Sequence, residues 1–456
     1  MNLSRDRFYM LVLLLTSSAL RLINIGYSDY QGDEIKAFFI PETGQTWLEF
    51  LLDQRKGPLQ FVVTGILGLF DPQYNNQLLI RLPFALAGVA AVAAFYLLLK
   101  RYFSLDVAFF AALFFATNGF LVSFARIVQY QSFVILFMIL AVYWLDKAVR
   151  DSDFHVRGLY LGLLAWALAI LFHYDGVFIA PIMFYLLYRW FRVSDQALIS
   201  QLRPFIFAGS IAALLLAIFY IPFVISLSQS TLNYWSARVS EEASTRISSS
   251  TVLFSVYQPI YTLKLYTILS AVGVIAALGY LLARKFNFMG KITDRMSEFE
   301  GLTWENLLVF AGWIVLPYAF MEVLVYNPGT HIYSYLIPAL IFPSFGLAAL
   351  KAITRLLIGE RIGAWLAWAG VLGLFGFLFA QSYSIFVDHR YEYPWEDEPF
   401  LVWTISKPNT SLQQDYHLAL FGFPYYRNWE SVRDYILTAP PASGYTTNER
   451  RTIARF

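Results

Sequence analysis

Residues 27–61, YSDYQGDEIKAFFIPETGQTWLEFLLDQRKGPLQF, run directly into the apolar stretch Val62–Phe70, and whether that stretch crosses a membrane decides the topology. As a helix, the segment Pro58–Phe70 would reach only about 20 Å, well short of an apolar core about 30 Å thick. It therefore reads as a helix lying in the interface rather than a span. The same loop places two adjacent carboxylates, Asp33 and Glu34, and a basic pair, Arg55 and Lys56, beside a membrane.

The rest of the chain explains why a membrane is invoked at all. Of 456 residues, 58% are hydrophobic and only 14% charged, with mean hydropathy +0.55. Soluble domains run nearer a quarter charged, and apolar runs of about 20 residues mark membrane helices. The formal net charge of +2 gives no footing for nucleic acid. With no cysteine, disulfides, thiol catalysis and thiolate-held metals are excluded. The five histidines, His155, His173, His331, His389 and His417, show no HExxH-like spacing, so the sequence gives no support for a divalent metal, and no other cofactor is indicated.

Apolar length and flanking charge predict eleven spans, over 8–25, 81–99, 105–124, 130–147, 157–172, 176–192, 204–227, 261–283, 304–326, 331–350 and 362–386. The first has Arg5 and Arg7 before it and reads as an uncleaved helix. With the N-terminus inside, the inner segments carry seventeen Lys and Arg, and the outer loops before the C-terminal region carry eight. Making Pro58–Phe70 a span would reverse that bias, so the positive-inside rule places the loop at Asp33 and the C-terminus outside. The expected organisation is an all-α polytopic membrane domain over residues 1–387, with an outer loop at 26–80. A small polar extracytoplasmic region follows at 388–456, too short to bury much core alone. Ser226–Pro259 reads as an outer flap, and Arg284–Thr303 as a solvated inner connector.

Candidate chemistry gathers at the outer helix ends. Gly32 permits a turn that presents Asp33 to a cleft, and a carboxylate beside low-dielectric lipid suits a general base. Lys56 opens the interfacial helix at the depth of phosphate headgroups. Arg81 and Arg126 each sit at an outer span end, and Gln129, Tyr130 and Gln131 lie where one span passes to the next. Polar residues so placed face a cavity or the bundle interior. His173-Tyr174-Asp175 and Asn327–His331 form two more outer turns, with Tyr335 behind the second. Glu322, at mid-span, reads as an interhelical contact or a gate.

The order of these elements resembles a known family. A first span precedes the Asp33-Glu34 loop, then Lys56-Gly57-Pro58-Leu59, then RLPFALAGVAAVAAFYLLLKRYF at 81–103 and SFARIVQYQSF at 123–133. A later His331, Tyr335, Leu336 and Pro338 complete the series. Over residues 8–350 the sequence resembles the GT-C integral membrane glycosyltransferases, in the class of protein O-mannosyltransferases and aminoarabinose transferases of lipid A.

The resemblance implies transfer of a sugar from a polyprenyl-phosphate donor to a protein, lipid or glycan acceptor at the extracytoplasmic face of the cell membrane. It makes Asp33 the base on the acceptor hydroxyl and Glu34 its supporting neighbour, with inversion by single displacement. Developing charge on the phosphate calls for cations placed in advance. Lys56, Arg126 and His331 fill that role, and Tyr30, Arg81, Gln129, Gln131 and Tyr335 line the substrate pocket. Two departures stand out: many members have His-Pro-Pro-Leu in place of Lys56-Gly57-Pro58-Leu59, and an Asp in place of Gln131. A transporter or flippase of lipid-linked sugars is the second reading, and it requires a polar path through the bundle rather than a cleft on one face.

Overall fold

The computed structural model describes residues 4–193, 198–239, 263–286, 296–326, 328–390, 421–426 and 428–438. All regular elements among them are helical. The chain enters through α1 (Arg5–Leu22), capped by the Ser4 side chain on the Arg7 amide. Three short helices then fill the first long loop: α2 (Gly32–Ile35), α3 (Trp47–Asp53) and α4 (Leu59–Gly68). A reciprocal Thr46–Glu49 capping box starts α3, with the Thr46 amide on Glu49 at 2.8 Å. Helix α4 has 10 residues and rises about 15 Å, so it cannot cross an apolar core.

The bundle follows: α5 (Gln77–Leu99), α6 (Leu105–Thr117), α7 (Gly119–Ala125), α8 (Gln131–Arg150), α9 (His155–Phe172), α10 (Ala180–Val193), α11 (Leu198–Ile225) and α12 (Gln229–Val239). Leu263–Lys285, Trp304–Leu324, Tyr333–Ala339, Ile341–Ile358 and Glu360–Phe386 complete it. Among the described residues nine helices are long and apolar enough to cross a membrane. Helices α6 and α7 pass that test only as a pair, bent by 61°. Asn118 causes the break: its extended backbone ends α6 while its side chain caps α7 on the Leu121 amide at 3.2 Å. Helix α1 is excluded by Arg5, Asp6, Arg7 and Arg21. Length and apolarity thus give nine or ten spans, and the expected eleven is reached only by adding α1.

Lipid supplies no hydrophobic drive between helices, so close approach through small residues does the packing. Gly158 and Gly162, one turn apart on α9, lie where a Cβ would meet the Trp144 carbonyl at 2.6 Å and Leu145 at 3.1 Å on α8.

At the end of the bundle away from Asp33, Asp106 is buried and accepts from Arg5, Lys351 and the Tyr9 hydroxyl. Glu298 is buried beside Lys351 and Arg355, and Phe299 and Leu302 are buried with it. The expectation of a solvated connector at Arg284–Thr303 therefore fails over 296–303. Its carboxylate is claimed by cations more than fifty residues downstream, which no local pattern reveals. Within the expected flap, 229–239 is helix α12, and 240–259 lies outside the described residues. Of the C-terminal region, Phe423 is buried against the bundle, and Ser28 bonds its carbonyl at 3.3 Å and the Tyr425 amide at 3.2 Å.

Candidate active site

The first loop is organised by a buried ion pair. Helix α2 is one turn long, and its geometry separates the two adjacent carboxylates. Glu34 turns inward and is 1% exposed, whereas the Asp33 side chain is 77% exposed and pairs with Lys36 at 2.7 Å. Arg81 grips Glu34 through Nε at 2.8 Å and Nη2 at 2.9 Å. The amides of Gln31 and Val128 donate to the same carboxylate at 2.9 and 3.0 Å. Arg81 also donates to the carbonyls of Ile25, Ser28 and Asp29 at 2.9 to 3.0 Å. Every guanidinium donor has a protein partner, so Arg81 has none left for a ligand, and the expectation that it lines the substrate pocket is corrected. It holds the loop to the bundle.

From that anchor a polar string leads away from Asp33. The Gln129 amide donates to the Asp33 carbonyl, and its oxygen accepts from Lys56 Nζ at 2.9 Å. The Lys56 ammonium lies 5.2 Å from the Tyr130 ring centre, and Tyr130 stacks on His173 at 3.9 Å. His173 and His331 follow at 5.3 Å between ring centres. Asp175 stands between them, with its carboxylate 3.1 Å from His173 Nδ1 and 2.7 Å from His331 Nδ1. The Tyr333 hydroxyl donates to Asp175 at 2.7 Å. Helix α12 lies over the same turn: Trp235 meets Tyr174 edge-on at 6.3 Å, and the Tyr234 ring carries Arg55 at 4.5 Å and Arg238 at 5.1 Å.

Burial sets the charge states. It pushes the Lys56 ammonium down to about 8, with Asp33 opposing and Lys36 reinforcing the fall. His173 is pushed down to about 4, mainly by burial, so its imidazole is neutral at pH 7.

Gly57 explains one departure from the family pattern. A Cβ there would lie 2.0 Å from the Leu171 carbonyl, so the loop passes directly over the end of α9. That contact sets Lys56 beside Tyr130 and His173. Gly57→Ala is expected to push the loop off α9 and move Lys56 away from Tyr130 and His173, weakening binding of an anionic ligand at Lys56 by about tenfold or more while the bundle stays folded. Direct binding to the purified variant checks this.

Of the residues singled out from sequence, Asp33, Lys56, Gln129 and His331 come together along this string. Arg126 does not join them. It is buried, donates Nη1 to the Leu20 and Ile23 carbonyls at 3.0 and 2.9 Å, and has Arg21 and Arg81 as its charged neighbours. Through Nη1 it anchors the end of α1, while its Nε is buried without a hydrogen-bond partner among the described residues. Tyr30 packs under Arg81 at 5.0 Å from the ring centre, Gln131 is buried at the start of α8, and Tyr335 is buried against Tyr318. His173 and Asp175 were read from sequence only as an outer turn, with no site role, and Tyr333 and Arg238 were not selected. The H-x-D step at the break between two spans was the available signal for the first two.

Comparison with known proteins follows from this geometry. The family model described as dolichyl-phosphate-mannose-protein mannosyltransferase matches residues 59–221. The archaeal oligosaccharyltransferase AglB of Archaeoglobus fulgidus, solved with an inhibitory peptide and a dolichol-phosphate, superposes over 95% of this chain at TM-score 0.51 and 12% identity. The chain has the GT-C membrane glycosyltransferase fold. Two further GT-C structures are similar at lower scores. The S. cerevisiae protein O-mannosyltransferase Pmt1-Pmt2 complex bound to its sugar donor gives TM-score 0.35 and 15% identity over 54% of this chain. ArnT of Cupriavidus metallidurans, bound to undecaprenyl phosphate, gives 0.46 and 13% over 91%. The chain spans 36% of the length of the yeast chain, 58% of AglB and 76% of ArnT. No curated protein matches the sequence.

Proposed function

We propose that this chain is a membrane glycosyltransferase that moves a sugar from a polyprenyl-phosphate donor to an acceptor hydroxyl at the outer face of a cell membrane. The observation that carries the reading is the Gln129 bridge. One side chain ties the backbone of an exposed carboxylate, Asp33, to a half-buried ammonium, Lys56. A base that meets solvent and a desolvated cation are what an acceptor hydroxyl and a departing phosphate require. Asp33 takes the acceptor proton as the oxygen attacks the anomeric carbon, and the carbon–phosphate oxygen bond breaks on the opposite side with inversion. Lys56 and His331 meet the charge that gathers on the leaving phosphate. Glu34 positions Asp33 through α2 and touches no substrate. The family match over 59–221 and the lipid phosphates named with AglB and ArnT support the donor class. The basic end holding Arg5, Arg101 and Lys351 supports an inner N-terminus.

The Lys56 ammonium supplies the test. Its ordinary value is lowered, so the cation is fully present below about pH 8 and lost as pH rises through it. A sugar phosphodiester keeps its charge over that range. Its affinity is therefore expected to fall about tenfold between pH 7 and pH 9, following the protonated fraction. Lys56→Arg removes that titration and should give a flat profile. A flat profile in the parent protein would remove Lys56 from the donor site.

A further inference from the structure

The turn after α9 and the turn before Tyr333 meet at His173, Asp175 and His331, and their bonding is incomplete. His173 Nδ1 accepts the Asp175 amide at 3.2 Å, so in that arrangement it has no proton to give. Yet it faces Asp175 Oδ1 at 3.1 Å, and Oδ1 accepts no hydrogen bond although the residue is 1% exposed. Two lone pairs are thus aimed at each other in a buried site. A buried carboxylate oxygen without a donor is costly, and buried charge is ordinarily paired or bound to metal. The other carboxylate oxygen is held by Tyr333, which fixes its orientation as outer partners of metal ligands do.

We propose that His173, Asp175 and His331 bind one divalent transition-metal ion of the zinc class. Two imidazoles and a carboxylate form the borderline N₂O set that zinc accepts, with a fourth position open. One ligand atom from each residue falls within 4.8 Å of the others, against edges of about 3.4 Å in a tetrahedral zinc site. Small side-chain rotations close that gap. Asp175 and His173 are two residues apart on one turn, and His331 arrives from 156 residues beyond Asp175. The ion would therefore tie the end of α9 to the start of Tyr333–Ala339. The ion's part as a further cation for the leaving phosphate, through which His331 would then act, rests on the transferase reading, whereas its binding does not.

The test uses the full chain in lipid nanodiscs, stripped with chelator and then titrated with zinc or manganese. Elemental analysis and calorimetry should find one equivalent of zinc bound tightly, and a raised thermal midpoint. Asp175→Asn and His331→Asn should each weaken zinc binding at least a hundredfold, and His389→Asn should leave it unchanged. Since Asp175→Asn also disturbs the Tyr333 contact, His331→Cys is the companion variant: it should restore zinc binding and shift a cobalt probe's spectrum toward sulfur ligation. The inference is overturned by the absence of stoichiometric zinc in the folded parent protein, or by binding that survives both substitutions. Zinc binding without any sugar transfer would keep the metal site and overturn the transferase reading. Transfer without zinc binding would do the reverse.

Discussion

Asp33→Asn is expected to cut turnover by about 10²- to 10⁴-fold, the usual contribution of a positioned general base. The structure makes this a clean substitution. Asp33 is exposed, gives its backbone carbonyl to Gln129, and its carboxylate pairs with Lys36. An exposed pair of this kind is worth little to stability. The asparagine variant should therefore keep its thermal midpoint and lose transfer, with its donor affinity compared below pH 7, where Lys56 stays protonated without support from Asp33. Initial rates with donor and acceptor saturating, alongside donor binding, separate these effects. Transfer within about threefold of the parent would remove Asp33 from catalysis. A parallel loss of donor binding would instead make Asp33 part of the donor site.

Much of this architecture is readable from composition, because a span must present an apolar surface along its whole length. Helix α4 is an instance: ten residues, most of them apolar, cannot reach across a bilayer, and the charge balance of every later loop agrees. Less visible are properties set by contacts distant in sequence. Asp33 and Glu34 look alike as letters. One turn of helix sends Glu34 into the bundle to meet Arg81, 47 residues on, and leaves Asp33 outside. Arg81 and Arg126 likewise both read as cations at outer span ends. Their carbonyl and carboxylate partners, which take every donor of Arg81 but only Nη1 of Arg126, come from the end of α1 and from the first loop. The His173–Asp175–His331 group has no spacing signature because a turn after one helix and a turn before another compose it. Glu298, inside the segment expected to be a solvated connector, is buried by partners equally distant in sequence, Lys351 and Arg355.

Removal of Arg81 should have the largest effect on stability. Arg81→Met leaves Glu34 charged and buried with only the Gln31 and Val128 amides, and leaves the carbonyls of Ile25, Ser28 and Asp29 without their shared donor. Breaking one partner of a buried pair costs about 3–5 kcal/mol, because the remaining charge is uncompensated. The thermal midpoint in detergent should fall by several degrees. Transfer should be lost too, since α2 and Asp33 hang on this clamp. Arg81→Lys keeps the charge but cannot span two carboxylate oxygens and three carbonyls at once, so it should recover only part of the loss. The double variant Arg81→Met, Glu34→Met separates the two costs. With the stranded charge gone, the midpoint should recover by more than half, because an apolar pair can replace a buried ion pair. Transfer should stay low, because the three carbonyls still lack their donor, the Gln31 and Val128 amides now lose Glu34, and the loop is no longer fixed to α5 and to the turn before α8. A double variant that recovered both midpoint and transfer would show that the clamp is dispensable for placing Asp33. A single Arg81→Met variant with an unchanged midpoint would show that the loop is held by its apolar contacts, Phe38 on Tyr74 at 4.5 Å and Phe50 on Phe61 at 5.5 Å, rather than by the ion pair.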